Sequence, residues 1–169
     1  WKRRWLRFPP KTTIWFRLRS MSVEYLIPVE SGSEWNQERA VGALPPGTRY
    51  TVAEYEPGEQ VEAINEGVKR AVTDHVFLAA PDAWVDRDPD TLAFLGDQLW
   101  NADVTYGPLI HWADGKQAYM QGQEHFCPNR LYKENYIPGV ACVRKDSFLD
   151  VGGLRSGMWD LYVRLHEAG

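Results

Sequence analysis

The sequence predicts an α/β domain in which helices flank a mostly parallel central sheet. Two patterns indicate this class: short apolar runs alternate with longer amphipathic segments, and most of the runs end at turn residues. Strands that alternate with helices pair in parallel through right-handed crossovers. The composition agrees, because 44% hydrophobic and 25% charged residues are close to the average of folded domains.

Apolar runs mark the strands. We predict strands at Val23–Val29, Arg49–Tyr55, His75–Ala80 and Val104–Ile110, with a further one possible at Val140–Val143. A polar turn, a Pro-Gly pair and a Pro-Asp pair follow the first three. The segment from His111 to Tyr136 is polar, aromatic and irregular, which is typical of a substrate loop. Phe148–Leu154 is predicted to be a turn.

Amphipathic segments mark the helices, which we predict at Glu34–Leu44, Glu59–Val72, Pro89–Trp100 and Trp159–Ala168. The second pattern is the clearest, because Val61, Ile64 and Val68 recur at spacings of three and four. That spacing places them on one helix face, which is expected to lie against the sheet.

The carboxyl ends of parallel strands are where ligands bind in such sheets. Here those ends are Pro28–Ser33, Tyr55–Gly58 and Ala79–Asp86. Asp82 follows the third strand, and a carboxylate in this position can bind Mg²⁺ or Mn²⁺ together with phosphate oxygens. Equally, Asp82 can cap the turn that follows Pro81.

Charge divides the chain into two parts. Residues 1–20 contain seven basic residues and no acidic one, so they form a basic, aromatic flank. The rest of the chain carries 12 basic against 23 acidic residues, which argues against a nucleic-acid surface. We expect a domain at 21–169, with Met21 as a natural start. The flank is then either non-native or a docking segment for a membrane or a subunit.

The cellular location is indicated by the absence of long apolar segments and by the cysteine content. No stretch is long and apolar enough for a membrane span, and the flank lacks the features of a signal peptide. Cys127 and Cys142 are more consistent with reduced thiols than with a disulfide, and no cysteine or histidine has zinc spacing. A cytoplasmic protein is expected.

Five segments occur in the order and at the approximate spacing of a known family. They are Leu26–Val29, the Asn65-x-Gly67-x-x-x-Ala71 pattern, Phe77–Asp82, Val143–Leu154 with its double glycine, and Trp159–Gly169. Together they resemble the family-2 glycosyltransferases, which have the GT-A fold with its Rossmann-like, mostly parallel sheet. The resemblance extends over residues 23 to 169.

The resemblance implies an inverting transfer of a sugar from a nucleoside diphosphate to an acceptor hydroxyl, assisted by Mn²⁺ or Mg²⁺. The acceptor is a glycan, a lipid or a protein. By position, Asp82 corresponds to a metal ligand. The predicted nucleotide-binding residues are Pro28, Val29, Glu30, Glu54, Asn65 and Gly67.

The sequence departs from the family at its acidic motifs. Either Ala79 or Ala80 replaces the first aspartate of the usual metal motif, and Gly157-Met158 stands where an acidic pair normally supplies the base. Asp160 is the nearest carboxylate and is our candidate base. Weaker candidates are His111, Asp114, Glu124 and His125.

Other residues allow two interpretations. Arg144 and Lys145 either neutralise a diphosphate or form a solvated pair. The aromatic residues of the irregular segment either stack on an acceptor sugar or pack beneath the loop: Trp112, Tyr119, Phe126, Tyr132 and Tyr136.

Two functions therefore compete. One is an active glycosyltransferase, and the other is a catalytically impaired relative that binds a nucleotide sugar or a partner protein. A sugar-nucleotide-forming nucleotidyltransferase is disfavoured, because Glu30–Asn36 has neither several glycines nor a basic residue.

Overall fold

The computed structural model describes residues 23–42, 44, 46–79, 98, 102–107, 109–113, 116–121 and 125–169. The strands are β1 (Val23–Glu30), β2 (Arg49–Tyr55), β3 (His75–Leu78), β4 (Val104–Thr105), β5 (Leu109–Ala113), β6 (Lys116–Gln121) and β7 (Ala141–Arg144). The helices are α1 (Glu34–Gly42), α2 (Gln60–Arg70), α3 (Pro128–Leu131), α4 (Lys145–Asp150) and α5 (Met158–Ala168). Within these residues, no helix is long and apolar enough to cross a membrane.

The central sheet has five strands in the order β2-β1-β3-β7-β4. β1 pairs in parallel with β2 and β3, whereas β7 is antiparallel to both β3 and β4. Four strands therefore point one way and β7 points the other. The predicted class is confirmed: the protein is an α/β domain with a mostly parallel open sheet flanked by helices.

The core covers both faces of β1, whose six residues from Glu24 to Val29 are all buried. Leu26 faces the side on which α2, α4 and α5 pack, and the neighbouring Tyr25 and Ile27 face the opposite side. Helix α2 lies close to the sheet at Gly67, where an added Cβ would stand 2.5 Å from Cδ1 of Leu26. Glycine at this position therefore sets the helix-to-sheet distance.

Several predicted elements are confirmed. β1, β2, α2 and α5 lie within one or two residues of their predicted bounds, and α1 and β3 end two residues early. The possible strand near residue 140 exists as β7. Cys127 is exposed, Cys142 is buried, and both are free thiols as expected. Of the predicted helix Pro89–Trp100 only Gln98 is described, and it is helical; the flank 1–20 lies outside the described residues.

Three expectations about the second half are wrong. Val104–Ile110 is not a single strand: Val104–Thr105 pairs with β7, and Leu109 begins a separate hairpin of β5 and β6. The segment 111–136 is less irregular than expected, because it contains most of that hairpin and α3. Phe148 is buried within helix α4, so the predicted turn begins only at Val151.

Candidate functional site

The carboxyl edge, defined here as Glu30–Ser33 and Glu54–Gly58, brings the ends of two parallel strands together. Glu30 pairs with Tyr55, and the backbone N–H of Ser31 donates to the Tyr55 carbonyl at 2.8 Å. The turn then closes through Ser33, whose N–H donates to the Glu30 carbonyl at 2.9 Å. Gly32 has a φ of +81°, a left-handed conformation that glycine adopts without strain. This turn leaves the Glu30 side chain exposed.

Acidic side chains dominate this edge. Glu54 and Glu56 are exposed on either side of Tyr55. The pKa of the Tyr55 hydroxyl is raised, first by desolvation and second by the nearby Glu30 carboxylate. An edge of this charge repels a bare diphosphate, whereas its carboxylates can accept hydrogen bonds from ribose hydroxyls or base N–H groups.

β1 extends further toward the carboxyl edge than β3, its neighbour on the side opposite β2. The last β3 pair is Leu26 with Leu78, so the segment Ile27–Glu30 extends past it. Pro28 and Val29, two predicted nucleotide-binding residues, lie in this segment with buried side chains. They therefore offer a ligand their backbone rather than their side chains. The predicted metal ligand Asp82 lies outside the described residues.

Asn65, another predicted nucleotide-binding residue, is hydrogen-bonded to the chain through both ends of its amide. Its Nδ2 donates to the Leu154 carbonyl at 2.9 Å, and its Oδ1 accepts from the Leu154 N–H at 2.7 Å. The turn Val151–Leu154 fits closely against it, because a Cβ on Gly153 would stand 2.6 Å from Asn65 Oδ1. Asn65 thus connects α2 to the double-glycine turn, and its contact with a nucleotide stays a prediction, as does that of Gly67.

Asp160 lies in the first turn of α5 and is paired with Arg164. Its Oδ2 accepts from Nε of Arg164 at 3.0 Å and from Nη2 at 2.7 Å. The same guanidinium donates to the carbonyls of Val151 at 2.6 Å and Gly153 at 2.7 Å. The Arg164 side chain is only 14% exposed, against 36% for Asp160. The candidate base is therefore part of a contact that holds the double-glycine turn.

These contacts join four of the five motif segments. Gly67 packs on Leu26, Asn65 binds Leu154, and Arg164 links Gly153 to Asp160. We call these contacts between motif segments the framework. The sequence identified Arg164 and Leu154 only as parts of motifs and did not predict that they form framework contacts. The available signal was an arginine four residues after an aspartate in a predicted helix, a spacing that allows an ion pair.

The positions of Arg144 and Lys145 argue against the diphosphate interpretation. Arg144 pairs with His75, the first residue of β3, so it lies at the amino edge of the parallel strands. Nζ of Lys145 donates to the carbonyls of Lys69 at 2.9 Å and Ala71 at 2.6 Å, at the end of α2. Both residues are therefore on the edge of the sheet opposite the carboxyl edge.

Of the remaining candidate bases, the structure describes the side chain of His125 only. His125 is exposed, whereas Asp114, Glu124 and the side chain of His111 lie outside the description. The same holds for the Trp112 and Tyr119 side chains. The part of the chain that is described contains no group of three or more His, Cys, Asp or Glu arranged to hold a metal ion.

The aromatic residues after β6 take different positions. Tyr136 is buried, and its hydroxyl accepts from the Cys127 N–H at 2.6 Å, so packing explains it. Phe126 is half-buried, with its ring in contact with the His166 ring. Tyr132 is exposed, and its ring also lies against His166. Of these three, only Tyr132 presents a largely open ring to solvent.

Comparison with known proteins finds similarity among solved structures only. No family model and no curated protein matches the chain. Among solved structures, the crystal structure of S. aureus TarS 1-349 aligns with a TM-score of 0.45 and 12% identity. The alignment covers 77% of this chain and 49% of that one, so this chain spans about half the length of that structure. Similarity at this level assigns no activity.

Proposed function

We propose that this domain binds a nucleoside-diphosphate sugar at its carboxyl edge and transfers the sugar to an acceptor hydroxyl with inversion. The observation that supports this most is the joining of four motif segments, in glycosyltransferase order, beneath a GT-A-like sheet. Motif matches that arose by chance would not be expected to contact one another in the folded chain. These contacts support a common framework, and the chemistry is the part that experiment must test.

The nucleoside would be held by the acidic edge. Glu30 and Glu54 carry exposed carboxylates that can accept hydrogen bonds from ribose hydroxyls or base N–H groups. The backbone of Pro28 and Val29 at the end of β1 would be the second contact for the base. The donor sugar and its diphosphate would extend from here toward the chain that follows β3.

A divalent cation is part of the proposal. Asp82, with oxygens of the diphosphate, would hold Mn²⁺ or Mg²⁺, since both prefer hard oxygen ligands and tolerate few protein ligands. When bound, such an ion offsets the negative charge that develops on the leaving diphosphate. The acidic edge is consistent with it, because Glu30 and Glu54 would otherwise repel the phosphates.

Transfer also needs a base that takes the acceptor proton as its oxygen attacks the anomeric carbon. Asp160 is the proposed base. Its Oδ2 already accepts two hydrogen bonds from Arg164, which orients the carboxylate but occupies one oxygen. This pairing favours a second candidate function, in which the domain binds the nucleotide sugar without transferring it.

Calorimetry tests donor binding. We expect one of a panel of UDP-, GDP- and dTDP-sugars to bind in the presence of Mn²⁺, and Glu30→Gln and Asp82→Ala to weaken that binding. Asp146→Asn is the matched control, because Asp146 is an exposed carboxylate in the helix that follows β7 at the amino edge. Failure of every donor to bind would refute the proposal.

Release of nucleoside diphosphate separates the two candidates. Turnover that is lost in Asp160→Asn while donor affinity stays unchanged supports the transferase. Donor binding without any turnover in the native chain supports the impaired relative. Thermal unfolding of the variant is needed beside the assay, because Asp160 also holds Arg164.

A further inference from the structure

Two exposed aromatic side chains belong to the region where α3 meets α5. Tyr132 is 50% exposed and Trp159 is 38% exposed, and within the described residues only Tyr50 and Val72 are other large hydrophobic side chains of this kind. The indole Nε1 of Trp159 donates to the carbonyl of Leu131, the neighbour of Tyr132, at 2.6 Å. This hydrogen bond holds the indole against the backbone that leads into Tyr132.

Two further rings are connected to the Tyr132 ring: that of His166 contacts it, and that of Phe126 contacts His166. His166 lies seven residues after Trp159 on α5, so both side chains project from the same side of that helix. The His166 ring is 6.0 Å from the Tyr132 ring and makes an edge contact with Phe126 at 5.4 Å. We call Phe126, Tyr132, Trp159 and His166 the aromatic platform. Because three of its rings contact one another through His166 and the Trp159 indole is hydrogen-bonded, a ligand would lose little entropy in ordering them.

An ion pair of zero net charge lies next to Tyr132 in the chain. Arg130 and Glu134, on either side of Tyr132 in the chain, form an ion pair through Nε and Oε1. Their side chains are 32% and 54% exposed, so the pair presents both N–H donors and carboxylate oxygens to solvent. Arg130 also lies over the Tyr136 ring at 4.7 Å, which limits its movement.

From these features we infer that the aromatic platform binds a neutral saccharide. The C–H face of a sugar ring stacks on Tyr132 and Trp159, and its hydroxyls bond to the Arg130–Glu134 pair. A sugar has an apolar face and a rim of hydroxyls, and the platform offers flat rings beside donors and acceptors. The match is therefore one of both shape and polarity.

Other ligand classes fit less well. A phosphorylated ligand needs uncompensated positive charge, whereas Arg130 is neutralised by Glu134. A stable protein interface covers about 800 Å² per partner, and the exposed apolar surface described here amounts to two rings. Trp159 and the proposed base Asp160 both lie in the first turn of α5, so the bound saccharide is assigned as the acceptor, a role that rests on the proposed function.

Saccharide binding is measured without any nucleotide, by saturation-transfer NMR with neutral oligosaccharides of glucose and of N-acetylglucosamine in α and β linkages. We expect at least one to bind and Tyr132→Ala to weaken it about tenfold, because loss of a stacked ring costs roughly 1.4 kcal/mol. Tyr132→Phe keeps the ring and should stay within about threefold of the native chain. Tyr50→Ala is the matched control, since Tyr50 is 45% exposed on β2.

Three outcomes overturn the inference: no oligosaccharide binds, Tyr50→Ala weakens binding as much as Tyr132→Ala does, or Tyr132→Ala dissolves a dimer of the native chain in sedimentation experiments. Donor calorimetry on the same samples keeps the two proposals apart. Saccharide binding without donor binding upholds the platform and refutes the proposed function. Donor binding without saccharide binding does the reverse.

Discussion

The framework contacts beneath the sheet and the carboxyl edge above it use the same kinds of polar residue in different ways. In the framework, each polar side chain meets a particular backbone group: Asn65 binds Leu154, and Arg164 binds Val151 and Gly153. At the edge, the carboxylates of Glu30 and Glu54 are exposed to solvent. The first arrangement gives stability, and the second leaves polar groups available for a ligand.

The difference shows that a motif residue need not be a ligand-binding residue. Asn65 and Asp160 were both candidates for the site, yet both make well-formed contacts within the fold. A buried polar group that loses its partner destabilises the protein, whereas an exposed one does not. Substitutions at matched positions in the two regions should therefore separate stability from binding.

The largest effect is expected at Gly153. Its φ is +70°, and a Cβ would stand 2.6 Å from Asn65 Oδ1, so Gly153→Ala should lower the free energy of unfolding by about 3 kcal/mol. The control is Gly32→Ala at the carboxyl edge, where φ is +81° but nothing lies within 4 Å. That variant should lose only about 1 kcal/mol, the cost of the backbone conformation.

A double-mutant cycle in urea identifies the cause at Gly153. In an Asn65→Ala background, the added Cβ no longer meets the amide oxygen, so the further cost of Gly153→Ala should fall to about 1 kcal/mol. Strict additivity of the two substitutions would show that the close approach to Asn65 is not what requires glycine.

The next largest effect is expected at Glu24, which is only 3% exposed. Its carboxylate accepts from Oγ1 of Thr51 at 2.6 Å and from the N–H of Val72 at 2.9 Å. Glu24→Ala leaves both donors without a partner and should cost about 2–3 kcal/mol in urea unfolding. Glu54→Ala at the carboxyl edge should change stability by less than about 0.5 kcal/mol. Equal losses would contradict the distinction between the two regions.

A smaller effect is expected at Lys145, which donates to two carbonyls at the carboxyl end of α2. Lys145→Met keeps most of the side-chain volume and removes the charge, so the free energy of unfolding should fall by about 1–2 kcal/mol. Lys133→Met is the control, because Lys133 is exposed. If nucleotide affinity fell while stability was kept, Lys145 would belong to the site after all.

Local patterns in the sequence predicted much of the fold but little of the framework. The bounds of β1, β2, α2 and α5 follow from apolar periodicity, a property of neighbouring residues. The antiparallel direction of β7 and the β5–β6 hairpin depend on pairing between distant segments. The Asn65 contact is a clear case, because it joins residues 89 positions apart, and no local pattern reports such a contact.

The candidate site was predictable only in outline. The rule that ligands bind at strand carboxyl ends located the edge, and the exposed Glu30 and Glu54 lie there. The side-chain roles could not be derived in the same way, since they depend on which groups the fold already uses. Asp160 was selected as the nearest carboxylate in sequence, and its pairing with Arg164 became visible only in space.

The smallest effect is expected at the carboxyl edge itself, in the titration of Tyr55. Desolvation and the Glu30 carboxylate both raise the pKa of its hydroxyl. Glu30→Gln removes the negative charge, so the pKa of Tyr55 should fall, while Glu62→Gln on α2 should leave it unchanged. NMR titration of ring-labelled tyrosine measures this shift, with Tyr55→Phe to assign the signal. A fall places the Glu30 carboxylate beside the Tyr55 hydroxyl in solution, where a nucleoside would meet both groups at once. An unchanged value would separate the two side chains and leave Glu30 to act alone.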